Sequence, residues 1–118
     1  MVKNYTDLKL WQKSIQFVIR IYQDTEDFPK REYYGLAAQI RKSAVSIASN
    51  IAEGSARHSD KEFNQFLIIS RGSLAELYTQ LLIAQGCGYI DREMLDQSLA
   101  TMNEIGKMLH ALRKTLKA

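Results

Sequence analysis

Residues 39–54 read QIRKSAVSIASNIAEG, and this stretch decides the fold. Ile40, Ala44, Ile47 and Ile51 recur at spacings of four, three and four, which stacks them on one face of a helix. Leu36 extends the stripe by a turn, and Ala37, Ala48 and Ala52 widen it while keeping it flat. A face of Ile and Ala lets neighbouring backbones approach closely, and a stripe this wide needs two or three partner helices to cover it.

Composition agrees with long helices. The chain has 118 residues with one proline and six glycines, enough for one continuous core and too few for two. A single domain over residues 1–118 is expected. Cys87 is the only cysteine, so an internal disulfide is excluded and a Cys-based zinc site has no basis. The start, MVKNYTDLKLWQKS, lacks an apolar run followed by a cleavage site, and no stretch is read as membrane-spanning. A cytoplasmic protein with no membrane partner is the expectation. The formal net charge is +3, and residues 29–59 alone supply it: Lys30, Arg31, Arg41, Lys42 and Arg57 stand against Glu32 and Glu53.

Working outward, Thr6 or Asp7 is placed to cap a first helix ending near Glu26, with Leu8, Trp11, Ile15, Val18, Ile19 and Tyr22 facing inward. Asp27-Phe28-Pro29 breaks the pattern, because proline disfavours helix in the residue before it. Phe28 then folds back on the bundle end. A second helix is predicted from about Arg31 to Ala56, with Gly35 as an irregularity. Ser59-Asp60-Lys61-Glu62 has the form of a capping box. A third helix follows, carrying Phe63, Phe66, Leu67, Ser70, Leu74, Leu77, Leu81 and Ala84 inward. Gly72 lies within it, explained at this level as making room for a close neighbour. Gly86-Cys87-Gly88 ends that helix, with Cys87 read as a buried or half-exposed hydrophobe and Tyr89 and Ile90 covering the turn. Asp91 caps a fourth helix striped by Leu95, Leu99, Met102, Ile105, Leu109, Leu112 and Leu116. The fold class is all-α: an up-down-up-down antiparallel four-helix bundle.

The chemistry-bearing residues do not assemble into a catalytic set. His58 and His110 lack metal-site spacing, Gly86 and Gly88 lack the rest of a phosphate loop, and Cys87 has no assignable base. No catalytic residue, metal ligand or cofactor is assigned, and no enzymatic activity is expected. Asn50, Glu53, Ser73 and Glu76, with Gln39, Ser43 and Ser70 nearby, flank the apolar stripes; bonded to one another they would fix a helix pairing or a subunit register. Ile68 and Ile69 are consecutive and cannot both point at one bundle centre, which marks them as an oligomer contact. Lys30, Arg31, Arg41, Lys42, Arg57 and His58 are the residues placed to face the phosphates of RNA or DNA, without base readout, as no helix-turn-helix, RNP sequence or zinc finger accompanies them.

LKLWQKS, FPKREYYGLAAQIRKSAVSIASNIAEG and SDKEFNQFLIISRGSLAELYTQLLIAQGCGYI together resemble the S23-type bacterial proteins encoded in intervening sequences of 23S ribosomal RNA genes. The likeness covers nearly the whole chain, and SNIAEG with GSLAEL is specific. It implies a four-helix protomer in a five-fold ring, hence a homopentamer. The family also looks like the accessory variability protein of diversity-generating retroelements, a basic barrel that partners a reverse transcriptase and RNA. The hallmark positions are Asn50, Glu53 and Gly54, then Gly72, Ser73, Glu76 and Leu77, and the resemblance carries no catalytic role with them. Ala48 stands where relatives often have proline, which implies a more regular helix. The turn at 54–58 has fewer basic residues than many relatives have, which weakens a nucleic-acid role. The leading expectation is therefore a self-associating interaction or scaffold module, with an unidentified protein partner left open. Sequence-independent nucleic-acid binding is the alternative.

Overall fold

A computed structural model describes residues 4–117 and has four helices: α1 Lys9–Asp24, α2 Leu36–Ser55, α3 Asp60–Gly86 and α4 Arg92–Lys114. Each packs on the next in sequence and α4 closes on α1, giving the expected all-α up-down bundle, 44 × 24 × 20 Å. The expected single domain extends to residues 1–3 and 118, which lie outside the described residues.

Along α2, Ala37, Ile40, Ala44, Ile47, Ala48 and Ile51 are all buried, as the spacing requires. All but Ala48 join Leu67, Leu74, Leu77 and Leu81 of α3, Leu95, Ile105 and Leu109 of α4, and Phe17 and Ile21 of α1 in one continuous core. Each fully buried Ile, Leu or Phe among them contributes about 1.5–3 kcal/mol by leaving water. The α2–α3 pairing is the most extensive, and Gly54 shows how close it is. A Cβ there would stand 2.6 Å from Phe66 Cβ and 2.9 Å from Phe63 Cδ1. At this position even a methyl group has no room.

Two caps form where the sequence places them. Ser59 Oγ accepts the Glu62 N–H at 3.1 Å and Asp91 Oδ1 accepts the Met94 N–H at 2.8 Å. Phe28 is buried, and its ring lies 5.3 Å from that of Tyr89.

The start of the chain differs from expectation. Residues Tyr5–Asp7 form a separate 3-10 turn whose cap is Asn4, with Asn4 Oδ1 accepting the Thr6 N–H at 3.0 Å. Leu8 is extended, and α1 begins after it without a side-chain cap, so Thr6 is spent on the earlier turn; the Asp7 side chain lies outside the described residues. The inward stripe of α1 is Leu10, Ser14, Phe17 and Ile21. Leu8, Trp11, Ile15 and Val18 are half-buried beside it, while Ile19 and Tyr22 are exposed at 54% and 43%. Apolar residues make up half of this helix and lie on more than one face, so spacing alone admits two stripes. The structure buries the one containing Ser14, whose hydroxyl is satisfied by the Leu10 carbonyl at 2.8 Å.

Helix α2 also starts later than Arg31. Successive turns occupy residues 29–35: Pro29, Lys30 and Glu32 carbonyls accept from Glu32, Tyr33 and Gly35 N–H groups. Glu32 Oε1 then accepts the Leu36 N–H at 3.0 Å and caps α2. A Cβ on Gly35 would lie 2.7 Å from that oxygen.

Two further expectations are corrected. Nothing lies within 4 Å of a Cβ built on Gly72, so it makes room for no neighbour in the bundle; it is simply on the outer face of α3. Cys87 is exposed, which removes the buried alternative of the two expected, because it follows the last turn of α3 on the solvent side. In addition, α3 is long and apolar enough, by length and composition alone, to cross a bilayer, contrary to the expectation that no stretch qualifies. Its inner stripe is nevertheless packed between α2 and α4.

Two glycine substitutions on neighbouring helices should separate these roles in denaturant unfolding. Gly54→Ala overpacks the α2–α3 contact and should cost about 1–3 kcal/mol. Gly72→Ala should be neutral or stabilising by up to about 1 kcal/mol. Equal effects would refute the assigned packing.

Candidate functional site

Helices α2 and α3 run antiparallel, and their side-by-side register brings a row of polar groups together. Ser70 Oγ donates to the Ile47 carbonyl at 2.9 Å from a fully buried position. One turn away, the Ser46 and Ser73 hydroxyls meet at 2.8 Å, and Ser43 Oγ donates to Gln80 Oε1 at 2.9 Å. Asn50 Nδ2 donates to the Ser46 carbonyl at 2.8 Å and to its hydroxyl at 3.0 Å. Asn50 and Ser73 are thus joined through Ser46. Glu53 is drawn off to Arg57, 2.8 Å away, and Glu76 is exposed at the mouth of a groove with Gln39, Lys42 and Gln80. A bonded seam of this kind fixes the sliding register of two otherwise smooth aliphatic faces, because a slip leaves buried hydroxyls unpaired.

The outer face of α3 has the opposite character. Ile68, Gly72, Ala75, Thr79, Leu82, Ile83 and Gly86 lie on the side away from the core and are all exposed. At 1.5 Å per residue this uncharged strip runs for about 27 Å, with Arg71 and Glu76 only at its edges. Ile69 and Ile83 are each 49% exposed. On the diagonally opposite helix, α1, Ile19 also points outward, with Tyr22 and the Val45 side chain of α2 exposed on that side. A single bundle therefore leaves two apolar faces uncovered, on opposite sides.

The six cations expected to face phosphates do not converge. Lys30 and Arg31 sit beside the α3–α4 turn, where Arg31 Nη2 donates to the Tyr89 hydroxyl at 3.4 Å. Arg57 and His58 sit at the other end of the bundle, between α2 and α3. Arg41, in the second turn of α2 towards the same end as Lys30 and Arg31, is fastened to the end of α1: Nε donates to Thr25 Oγ1 at 2.8 Å and Nη2 to the Tyr22 carbonyl at 3.2 Å, with the guanidinium 4.7 Å over the Tyr22 ring. Lys42 is exposed. Arg57 is paired with Glu53 and stacked 4.7 Å over Phe66.

Folding instead sorts charge lengthwise. The end formed by the α1–α2 connection and the α3–α4 turn gathers Asp24, Glu26, Asp27, Glu32, Asp91 and Glu93, which outnumber Lys30, Arg31 and Arg92 there. The opposite end joins Arg57, His58 and Lys61 to Arg113, Lys114 and Lys117, held there by Arg113 Nε donating to Asn64 Oδ1 at 2.9 Å and the Lys117 N–H to Asp60 Oδ2 at 3.1 Å. Sequence reading missed Arg113, Lys114 and Lys117 because it grouped cations within residues 29–59 and not across the fold. The antiparallel α3–α4 pairing, already expected, is the signal that would have joined them to Arg57. It missed Ser46 and Gln80 likewise, which only the α2–α3 register brings into the seam. Among the described residues, no group of three or more His, Cys, Asp and Glu is placed to hold a metal ion.

A family model described as 23S rRNA-intervening sequence protein matches residues 6–111. The chain belongs to this family. Among solved structures it is similar to a protein of unknown function from the S23 ribosomal protein family of Bacteroides thetaiotaomicron, at 27% identity and a TM-score of 0.79, covering 89% of this chain and 98% of that one. Comparison with curated proteins gives no match. The intervening-sequence family and the four-helix bundle thus agree with the sequence reading; the wider likeness to the retroelement accessory protein has no counterpart in these comparisons.

At the acidic end of this family member two carboxyls titrate in opposite senses. Burial raises the Asp24 pKa from its ordinary value, Arg20 opposing and Asp91 adding to the rise; among the described residues its Oδ2 finds no hydrogen-bond partner. Glu32 is lowered by the Leu36 N–H and then by the Tyr89 hydroxyl, 3.1 Å away. A raised acid is harder to ionise in the fold, so Asp24 subtracts stability as pH climbs from about 4 through its folded value. A lowered acid adds stability above about pH 4 and loses it as pH falls through the folded value. Asp24→Asn should therefore raise the unfolding midpoint at neutral pH, with the gain fading below about pH 4. Glu32→Gln should lower it at neutral pH, with the loss fading on acidification. Thermal unfolding across pH checks both signs.

Proposed function

We propose that this intervening-sequence family member is a non-enzymatic, cytoplasmic module that assembles with copies of itself and presents a scaffold to other components. The observation that carries this reading is the uncharged outer face of α3, some 27 Å long at 1.5 Å per residue, containing Ile68, Leu82 and Ile83, with Ile69 beside it at the Glu76 edge. A helix exposed to water normally carries charge on the side opposite its core stripe. An uncovered strip of this composition marks a contact surface. The second apolar face, around Ile19, Tyr22 and Val45, lies across the bundle from the first. Joining two different faces is a head-to-tail contact, which closes as a ring when the rotation permits. A homopentamer, with no membrane partner, is the form we propose. The α2–α3 seam holds the α3 face in register for that contact and has no catalytic part.

A second reading, sequence-independent binding of RNA or DNA, draws support from the cations gathered at the α2–α3 end. It gains little from Arg41 and Arg57, which are already engaged within the chain.

Light scattering with molar-mass determination tests assembly. The chain should run as an oligomer, and Ile68→Glu combined with Ile69→Glu should yield monomers of unchanged helicity by circular dichroism. A wild-type monomer at high concentration defeats the reading, and an oligomer that survives the double substitution places the contact elsewhere. For the second reading, titration with labelled RNA and DNA at several salt concentrations should show binding that falls steeply with salt; no binding at low salt removes it.

A further inference from the structure

The basic end of the bundle contains a cavity of about 500 Å3, within the range of small-molecule sites. Its floor is apolar: Phe63 of α3 is buried, and Leu112 and Leu116 are half-buried beside it. Its rim is cationic, with Arg57 arriving from the α2–α3 connection and Lys117 from beyond α4. Ser55, Ser59 and Thr115 add hydroxyls to the same wall. Two stretches of sequence far apart in the chain, residues 55–63 and 112–117, supply these groups, so the site exists only in the folded chain.

We propose that this cavity binds an organic phosphate, with the ring-bearing body over Phe63, Leu112 and Leu116 and the phosphate at Arg57 and Lys117. The guanidinium of Arg57 gives one edge to Glu53 and stacks over Phe66, which fixes its position while other N–H donors stay free for a phosphate oxygen. Asp60 also lines the wall, and its Oδ2 is occupied by the Lys117 N–H at 3.1 Å. That bond fixes the backbone of residue 117 at the cavity wall without using its side chain. Arg113 and Lys114, on the last turn of α4, add to the positive field that draws an anion in. An apolar floor with a cationic rim selects an amphipathic anion over a bare one: inorganic phosphate leaves the floor empty, and an uncharged nucleoside leaves the rim unused. A nucleoside monophosphate and the 5′-phosphorylated end of a nucleic-acid strand share this chemistry. The site is independent of the assembly contact, since Ile68 and Ile69 lie on the side of the bundle and the cavity at its end.

Calorimetric titration of the full chain tests it with a nucleoside monophosphate, the matching nucleoside, inorganic phosphate, and a trinucleotide with and without a 5′-phosphate. The monophosphate should bind at least about tenfold more tightly than inorganic phosphate or nucleoside. Lys117→Glu should weaken it about threefold to tenfold, and Leu116→Trp, which fills the floor, should abolish it without lowering the unfolding midpoint. Preference for the 5′-phosphorylated trinucleotide over the monophosphate identifies a strand end as the source; the reverse preference identifies a free nucleotide, and either supports the site. Lack of saturable binding at millimolar ligand, equal binding of inorganic phosphate, or indifference to Lys117→Glu overturns the proposal.

Discussion

Helices α2 and α3 touch so closely at Gly54 that a methyl group would collide with Phe63 and Phe66, and the remainder of the bundle follows from that approach. Small residues along α2 allow it: Ala37, Ala44 and Ala48 alternate with Ile40, Ile47 and Ile51, so the faces meet without long side chains holding them apart. Dispersion and water release drive the contact but are indifferent to sliding along the axis. Direction comes from hydroxyls. Ser70 on the Ile47 carbonyl and Ser46 on Ser73 are bonds between the helices made in this register, and a buried hydroxyl that loses its only partner, as Ser70 would, costs about 1–3 kcal/mol. Apolar area therefore gives the pair its strength and the serine seam gives it its register.

Much of this was legible in the sequence, and the misses share a cause. Where one face alone is apolar, as in α2, spacing identifies the buried residues directly. In α1, apolar residues extend around the helix, and the buried stripe was settled by Ser14, whose hydroxyl closes on its own backbone and so carries no hydrophobic signal. The start of α2 was displaced for a similar reason. Glu32 reads as a charged residue inside a helix, whereas it caps one from outside by reaching to the Leu36 N–H. Polar atoms satisfied within a few residues of themselves are hard to distinguish in sequence from polar atoms facing water.

Candidate site residues were harder to locate because a site joins segments distant in sequence. Grouping cations by proximity along the chain put Lys30 with Arg57, which the antiparallel fold sends to opposite ends. Grouping by helix left Arg113 and Lys117 out, although α4 returns them to the α2–α3 connection. Charge in a bundle is better summed by end than by segment: residues at matching distances from a turn become neighbours whatever their separation in the chain.

The same geometry explains how one small bundle can keep an apolar side and a charged end apart. An up-down bundle has only two kinds of surface, the sides of its helices and the ends where they turn. Here the seam between α2 and α3 uses the polar groups of the side that faces inward, which leaves the outer side of α3 without charge from Ile68 to Gly86 apart from its edges. Ionised groups concentrate at the ends, where chain reversals expose them to water and where helix termini favour carboxylates or cations according to polarity. Contacts along the side would then be driven by apolar area and little affected by salt, while contacts at an end would be electrostatic and strongly salt-dependent. Two surfaces with such different responses can act in one molecule without competing.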